Sequence, residues 1–351
     1  MAITYNQSDI GDNTLRSTKA KTLESCSFLY WTQFVVGIPH IQNSGAEGGT
    51  IAHNLLELLA KEENRSIYDL ILKNDSIYAH KPIKKLVLRY ISKSQTLKNN
   101  TETLDKVDFM VKTGLRTDFF IEGGQIISNE YKFQINNKNP YYKLKGFFDK
   151  VAIKDDYTLI RDFKGSRLQF AGKDRETNIQ ALCYTLAARK LWPERKARLE
   201  FVFLLHPENA IMPCEFTDEV LGGFEQYLEA QQKRIDNFTY RDATSDFAAY
   251  KPIATDDSFS GPLQCGYGKF PGHIKKSTGE PYWICSSKWP FFYYAVKKEG
   301  KIIRTFFENE LNRNTPKEGE IFEKLEHKGC PAHCKSNPLD DLISAKEKPK
   351  I

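Results

Sequence analysis

The stretch GFFDKVAIKDDYTLIRDFKG, Gly146–Gly165, reads as two strands, GFFDKVAI and YTLIRDFK, joined by a turn at Lys154-Asp155-Asp156-Tyr157. Phe, Val, Ile, Leu and Tyr give both halves strand character. Each half nevertheless carries one carboxylate, Asp149 or Asp162, among apolar neighbours. If Asp155 and Asp156 form a two-residue loop, opposed residues have numbers that sum to 311, and Asp149 faces Asp162. A three-residue loop moves the pair off by one. Opposed side chains have Cβ atoms about 5 Å apart, and like charges so placed repel. Lys164 lies two residues beyond Asp162 and shares its face, because strand side chains alternate. Either acid alone reads as a partner of Lys150 or Arg161. Opposed, and on one face with a lysine, they read as a site.

The composition bounds what such a site can serve. The chain has 351 residues, 40% apolar and 27% charged, with a mean hydropathy of −0.53. This suits a soluble globular protein with length for two domains. No apolar run reaches the roughly eighteen residues of a membrane helix. The start, MAITYNQSDIGDNTLRSTKAK, lacks the apolar core of a secretion signal, so no membrane association and a cytoplasmic location, in a bacterial or phage-infected cell, are expected. An odd cysteine count, seven, argues against a disulfide framework in a reducing compartment. The net charge of +6 is concentrated: Cys265 to Arg304 holds eight Lys/Arg and two Glu. There Tyr282, Trp283, Trp289, Phe291, Phe292, Tyr293 and Tyr294 interleave with Lys288, Lys297 and Lys298. Such a mixture suits a groove that follows phosphates and stacks bases, and equally a small β module with an aromatic core.

Periodicity organises the rest. Leu23–Val36 has helical spacing and ends at Gly37-Ile38-Pro39. IQNSGAEGGTIAHNLLELLAKE reads as a glycine-rich loop feeding a helix from about Thr50. Residues 64–113 read as helices with polar linkers, and strands begin near Phe119. DRETNIQALCYTLAARKLW is a helix, RLEFVFLLH a buried strand, and TDEVLGGFEQYLEAQQKRIDNF another helix. The expected division is a tail at 1–22, a core at 23–240 with a helical insertion at about 54–113, a linker at 241–264, a cysteine-containing basic aromatic module at 265–335, and a tail at 336–351.

Two acids and a lysine on adjacent strands suit phosphodiester hydrolysis with a divalent cation. Acyl transfer would want a Ser or Cys nucleophile beside a His. Asp149 in GFFD followed by Asp162-Phe163-Lys164 resembles the PD-(D/E)XK nuclease superfamily, and more narrowly its RecB-type branch, which includes CRISPR-associated and phage exonuclease-like members. His53 in GGTIAH, the helix LESCSFLYWTQFVVGIP, and Gln180 with Tyr184 in QALCY extend the resemblance over about residues 23–240. It implies an α/β fold with a central mixed sheet flanked by helices, a restriction-endonuclease-like core, followed here by the small C-terminal cysteine and aromatic β module. It implies that His53, Asp149, Asp162 and the Phe163 carbonyl ligate Mg²⁺ or Mn²⁺ and that Lys164 acts on the attacking water. Gln180 and Tyr184, one helical turn apart, would face DNA near the metal. Glu130 stands where an extra acid often occurs. In the basic segment, Lys288 and Trp289 are the candidate DNA contacts.

Cys183 and Cys214 sit in apolar elements and read as buried thiols. Cys26, Cys265, Cys285, Cys330 and Cys334 remain. Some RecB-type nucleases hold a four-iron, four-sulfur cluster with one N-terminal and three C-terminal cysteines, and Cys26 stands at the matching position. The segment from Cys265 to Cys285 also resembles a topoisomerase-type zinc ribbon, so zinc on Cys265, Cys285, Cys330 and Cys334 is the alternative. A third reading gives these thiols no metal.

The expected protein is a metal-dependent deoxyribonuclease, an exonuclease of recombination, repair or phage DNA metabolism, because no separate sequence-reading domain is visible. The alternatives are a non-catalytic nucleic-acid-binding module and a structural subunit of a helicase–nuclease complex. No G-x-x-x-x-G-K-[ST] loop occurs, so any unwinding would fall to a partner helicase or recombination protein.

Overall fold

The computed structural model describes residues 10–40, 44–94, 96–171, 175–250, 265 and 284–333. Its central hairpin has the expected register. β1 (Gln125–Lys138), β2 (Tyr141–Lys154) and β3 (Tyr157–Lys164) form an antiparallel meander. Lys154 pairs with Tyr157, and the β2–β3 ladder runs to Lys150 opposite Arg161. It stops there, one step before Asp149 and Asp162. β4 (Lys196–Phe203) lies parallel to β3, and β5 (Ile211–Cys214) pairs antiparallel with β4, giving a mixed sheet in the order β1-β2-β3-β4-β5.

A parallel pair needs a crossover, and α7 (Ile179–Leu191) supplies it. The Asn178 side chain caps α7 by accepting the N–H groups of Gln180 and Ala181, and Arg189 and Lys190 stand in its last turn. Further helices close the core: α3 (Ser44–Leu59), α4 (Arg65–Asn74), α5 (Lys81–Lys93) and α6 (Thr101–Arg116). Their apolar stripes pack with Phe163, Val202 and Leu204 of the sheet.

The glycine-rich segment is not a loop. α3 begins at Ser44 and carries Gly48 and Gly49 inside it. Tertiary packing overrides their poor helix propensity. Gly49 lies against Gly165, just past β3, so closely that a Cβ on Gly165 would stand 3.0 Å from the Gly49 Cα. The expected single helix over Leu23–Val36 is also broken. α1 (Ser17–Ser25) ends before Cys26, which is extended (φ −162°), and α2 (Ser27–Tyr30) continues as a π-helical turn, Trp31–Val36, stopped by left-handed Gly37 (φ 74°).

The chain divides into two compact units. One is built on Gln42–Gln232 with Thr14–Ser17; the other joins Thr18–Ile41 to the chain from Lys233 onward. Residues 23–40 of the expected core therefore fall in the second unit. The expected tail at 1–22 fails at Leu15, which is fully buried and bridges to Leu144. The expected linker fails over 241–250: after α8 (Asp218–Asp236), α9 (Tyr240–Ala243) contributes buried Ala243, and Phe247 and Ala248 are buried beside it. Residues 251–264 and 336–351 lie outside the described residues. The second unit holds a three-stranded antiparallel sheet, β6 (Phe291–Lys298), β7 (Lys301–Phe307) and β8 (Glu320–His327), in the order β7-β6-β8. Among the described residues no helix is long and apolar enough to cross a membrane.

Two predictions follow from packing and burial. Gly165→Ala should destabilise the protein by about 1–3 kcal/mol, since the new methyl meets backbone. Gly49→Ala, whose Cβ would meet Gly165 only at an ordinary 3.8 Å, should be tolerated; urea unfolding compares the two. The second concerns Lys150. Burial, with the neighbouring Arg161 charge, pushes its ammonium down to about 7 against an opposing pull from Asp118. Between about pH 7 and the ordinary lysine value of 10.5 the unfolded chain holds the extra proton, so this group adds stability as pH rises. Lys150→Met should stabilise most at and below pH 7, with the gain shrinking by pH 9, when unfolding is compared at both.

Candidate active site

Where the β2–β3 ladder stops, a side chain takes over. Asp149 Oδ2 accepts the Phe163 N–H at 2.8 Å, replacing the missing strand partner. The same oxygen lies 3.3 Å from His53 Nδ1, which α3 brings in one turn after Gly49. The His53 ring also stands edge-on to Phe163, with centroids 6.1 Å apart.

Asp162 is buried, 2% exposed, and is approached from α7. The Gln180 amide bridges the site: its Nε2 donates to Asp162 Oδ1 at 2.8 Å and its Oε1 accepts from Lys164 Nζ at 2.8 Å. Lys164 Nζ is in ionic contact with Asp162 Oδ2 at 2.5 Å. That buried oxygen has the Lys164 ammonium as its counter-charge. Tyr184, one turn along α7, is half-buried with its ring edge-on to Phe133 and Phe148. The structure thus brings together His53, Asp149, Asp162, Lys164, Gln180 and Tyr184. Gln180 and Tyr184 turn their side chains to the acids and the aromatic core.

The two acids are driven apart electrostatically. Burial pushes the Asp149 carboxyl up, but the charge and hydrogen bond of His53, the Phe163 N–H and Lys164 outweigh it and hold the group below the usual carboxylate range. Burial raises Asp162, and the Asp149 charge adds to the rise against the opposing pull of Lys164 and His53. Burial lowers the His53 imidazole, yet Asp149 and Asp162 carry it above its ordinary value. Tyr184 is pushed well up by burial and by the two acids.

Glu130 adjoins this group, with a partner that the sequence reading missed. Its carboxyl is raised by burial, by the charge and hydrogen bond of Glu57, and by Asp149. Glu57 follows His53 by four residues on α3, so helical spacing already put it on the His53 face. Glu130 itself has left-handed backbone (φ 60°), and the β1–β2 ladder pairs the residues on either side of it, Asn129 with Lys150 and Tyr131 with Phe148.

As the side chains stand, no three His, Cys, Asp or Glu groups among the described residues are arranged around a single metal ion. Asp162 is occupied by Lys164 and Gln180, and Asp149 by His53 and Phe163. The residues nevertheless fit a hard divalent cation. Two carboxylates and an imidazole gathered at one strand end are suitable donors.

The cysteines gather in the second unit. Cys26, Cys265, Cys285 and Cys330 are thiols outside any disulfide, each 8% exposed, and line one cavity with Phe28, Phe247, Lys288 and His333. The helix break at Cys26 is what turns that residue into the cluster. Burial, augmented by the neighbouring cysteines, pushes the Cys285 and Cys330 thiols up to about 12. Cys334 lies outside the described residues, as do Tyr282 and Trp283. Cys183 and Cys214 are buried thiols of the first unit, as expected.

The DNA contact expected at Lys288 is not supported by its position. Lys288 is 4% exposed and faces the cysteine cavity, whereas a phosphate contact needs a cation within reach of solvent. Its Nζ lies 4.8 Å from the Trp289 ring centre, and Trp289 is half-buried. The aromatic segment mostly builds its own module: Tyr293 is buried and Tyr294 stacks on Phe306. Its cations are largely paired, Lys297 with Glu323, Arg304 with Glu320 and Lys324 with Glu308.

No curated protein matches the sequence. A solved structure of a candidate exonuclease from Eubacterium rectale aligns over 74% of this chain and 99% of its own, at 14% identity and a TM-score of 0.42. The sequence pattern of the PD-(D/E)XK nuclease superfamily matches residues 16–258, which contain the hairpin, His53, Gln180 and Tyr184. By that match, and with the mixed sheet flanked by helices that carries it, the chain belongs to the PD-(D/E)XK nuclease superfamily.

Proposed function

We propose that this chain is a divalent-metal-dependent deoxyribonuclease, working as an exonuclease in DNA recombination, repair or phage DNA metabolism. The observation that carries the reading is the gathering of two carboxylates, Asp149 and Asp162, with His53 and Lys164 where the β2–β3 ladder ends. His53, Asp149, Asp162 and the Phe163 carbonyl would hold Mg²⁺ or Mn²⁺. Bound there, the cation supplies an acidified water and neutralises charge on the phosphate. Lys164 lies close enough to Asp162 to orient that water or to stabilise the developing oxyanion. Gln180 holds Lys164 and Asp162 in register from α7, so we assign it a positioning role. Tyr184 packs behind the acids, and Glu57 with Glu130 adds negative charge beside Asp149. An accessory protein would supply any unwinding.

End-labelled single- and double-stranded DNA, incubated with the purified chain with and without Mg²⁺ or Mn²⁺, tests this reading. Cleavage is expected only with metal and is expected to stop with a chelator; no cleavage of either substrate under any metal rejects it. Asp162→Ala and Lys164→Ala should each raise the barrier by about 3 kcal/mol or more while DNA binding persists. Gln180→Ala should slow turnover by about 10- to 100-fold with Mn²⁺ affinity largely kept; near-normal turnover would remove its positioning role.

We further propose that Cys26, Cys265, Cys285 and Cys330 hold a metal group that ties the two chain segments of the second unit together. Four thiols that line one cavity suit an iron–sulfur cluster, and zinc is the alternative. Anaerobically prepared protein should contain iron and absorb visible light, and Cys26→Ser should lose both. Colourless protein with stoichiometric zinc that is indifferent to Cys26→Ser would replace the cluster with zinc.

A further inference from the structure

A second concentration of positive charge lies in the first unit, on α5. Between Asp75 and Glu102 the chain has six Lys/Arg and no Asp or Glu. Five of the six, Lys81, Lys84, Lys85, Arg89 and Lys93, are on α5, and all five are exposed. The opposite face, with Ile83, Val87 and Ile91, is buried in the helical core. Lys81, Lys85, Arg89 and Lys93 recur every four residues, so they form one ridge along the solvent face. The ridge costs the helix stability on two counts. Like charges four residues apart repel. Lys81, Lys84 and Lys85 also stand at the N-terminal end, where the helix dipole disfavours cations, and no acid occupies the first turn. The neighbouring α6 covers its cations: Lys112 is held by Asp75 and Asp108, and Arg116 by Asp75. Among the described residues none of the five α5 cations forms an ion pair.

The C-terminal end of this ridge is fastened to the segments that carry the candidate site. Just past α5, Ser94 Oγ donates to Glu47 Oε2 at 2.5 Å, the Thr96 N–H donates to the same oxygen at 3.2 Å, and the Thr96 hydroxyl donates to it as well. Glu47 is buried in the first turn of α3, two residues before Gly49, which lies against Gly165 beside Lys164. The spacing suits a train of phosphates. Successive ridge cations are about 6 Å apart along the helix axis, close to the roughly 7 Å covered by two steps along one strand of a DNA duplex. A helix built for a lipid surface would lay an apolar face into it, whereas α5 keeps its apolar face in the core. We propose that α5 is a docking ridge for the phosphate backbone of the DNA substrate outside the bond being cut, with Lys81, Lys85, Arg89 and Lys93 as its contacts. The inference rests on the reading of the chain as a DNA nuclease and goes beyond it by naming a surface that holds the substrate.

Binding and cleavage test this separately. The full-length chain, with a chelator present so that nothing is cut, is titrated against a short labelled DNA duplex over a series of KCl concentrations. Lys85→Gln with Arg89→Gln removes two ridge charges. Lys154→Gln with Lys196→Gln removes two at the β2–β3 turn, whose Lys154 lies about 17 Å along β2 from Asp149. The ridge pair is expected to weaken binding at least about tenfold at ~0.1 M salt and to lower the slope of log K against log[KCl] by about two. The turn pair, and the charge-keeping Lys85→Arg with Arg89→Lys, should stay within about twofold of wild type. With Mg²⁺ or Mn²⁺ present, the ridge pair should raise KM and keep kcat. An unchanged salt slope in the ridge pair overturns the proposal. So do equal losses in the ridge and turn pairs, a wild-type KM in the ridge pair, or phosphatidylserine vesicles that bind the ridge more tightly than DNA does. Matched circular dichroism establishes folding; if the ridge pair does not fold, Lys81→Gln with Lys93→Gln takes its place with the same expectations. Wild-type protein that binds DNA through the ridge yet cuts none under any metal rejects the nuclease reading, an outcome distinct from a cleaving enzyme whose binding ignores the ridge.

Discussion

The candidate site depends on one hydrogen bond, from the Phe163 N–H to the Asp149 carboxylate. It lies where β2 and β3 cease to pair, and it lets an acid finish a ladder that backbone would otherwise continue. Without it, Asp149 would be a half-buried carboxylate at the end of the ladder, and a backbone donor would be left unsatisfied. With it, the Asp149 carboxylate is fixed against β3, and one of its oxygens is shared between Phe163 and His53. The seat of His53 is set in turn by the backbone approach of Gly49 to Gly165, which a Cβ on Gly165 would crowd at 3.0 Å from the Gly49 Cα. Fold and site are therefore coupled at two glycines and one carboxylate.

The two acids then do different work because their surroundings differ. Asp149 has an imidazole, a backbone donor and a lysine to stabilise its charge; Asp162 is deeper and feels Asp149 as a like charge. Lys164 and Gln180 close around that acid from the side of α7, so the same side chains that stabilise it also orient it.

Much of this was legible in the sequence. The sum rule for the hairpin, the alternation that put Lys164 with Asp162, and the four-residue spacing of Gln180 and Tyr184 all follow from strand and helix geometry, and the observed register agrees with them. Other features were not local properties. Glycines at 48 and 49 read as a loop because propensity disfavours them in a helix, whereas contact with Gly165 decides the matter. The break at Cys26 was hidden by apolar spacing that runs on through it, yet it is what delivers a thiol to a cluster formed with residues more than two hundred positions away. Lys288 read as surface because lysines usually are; its burial depends on a cavity assembled from five chain segments. Glu57 was readable from its spacing to His53 but had no meaning until Glu130 stood opposite.

The central claim is that the carboxylates of this hairpin form a divalent-cation site, and Mn²⁺ binding to the purified chain tests it most directly. Calorimetric titration of wild type beside Asp162→Asn, with matched circular dichroism to establish equal folding, removes one charge and leaves the shape. The account predicts saturable Mn²⁺ binding to wild type that is lost or weakened by at least about tenfold in the variant. Equal Mn²⁺ affinity in the two proteins, or no binding to wild type, would contradict it.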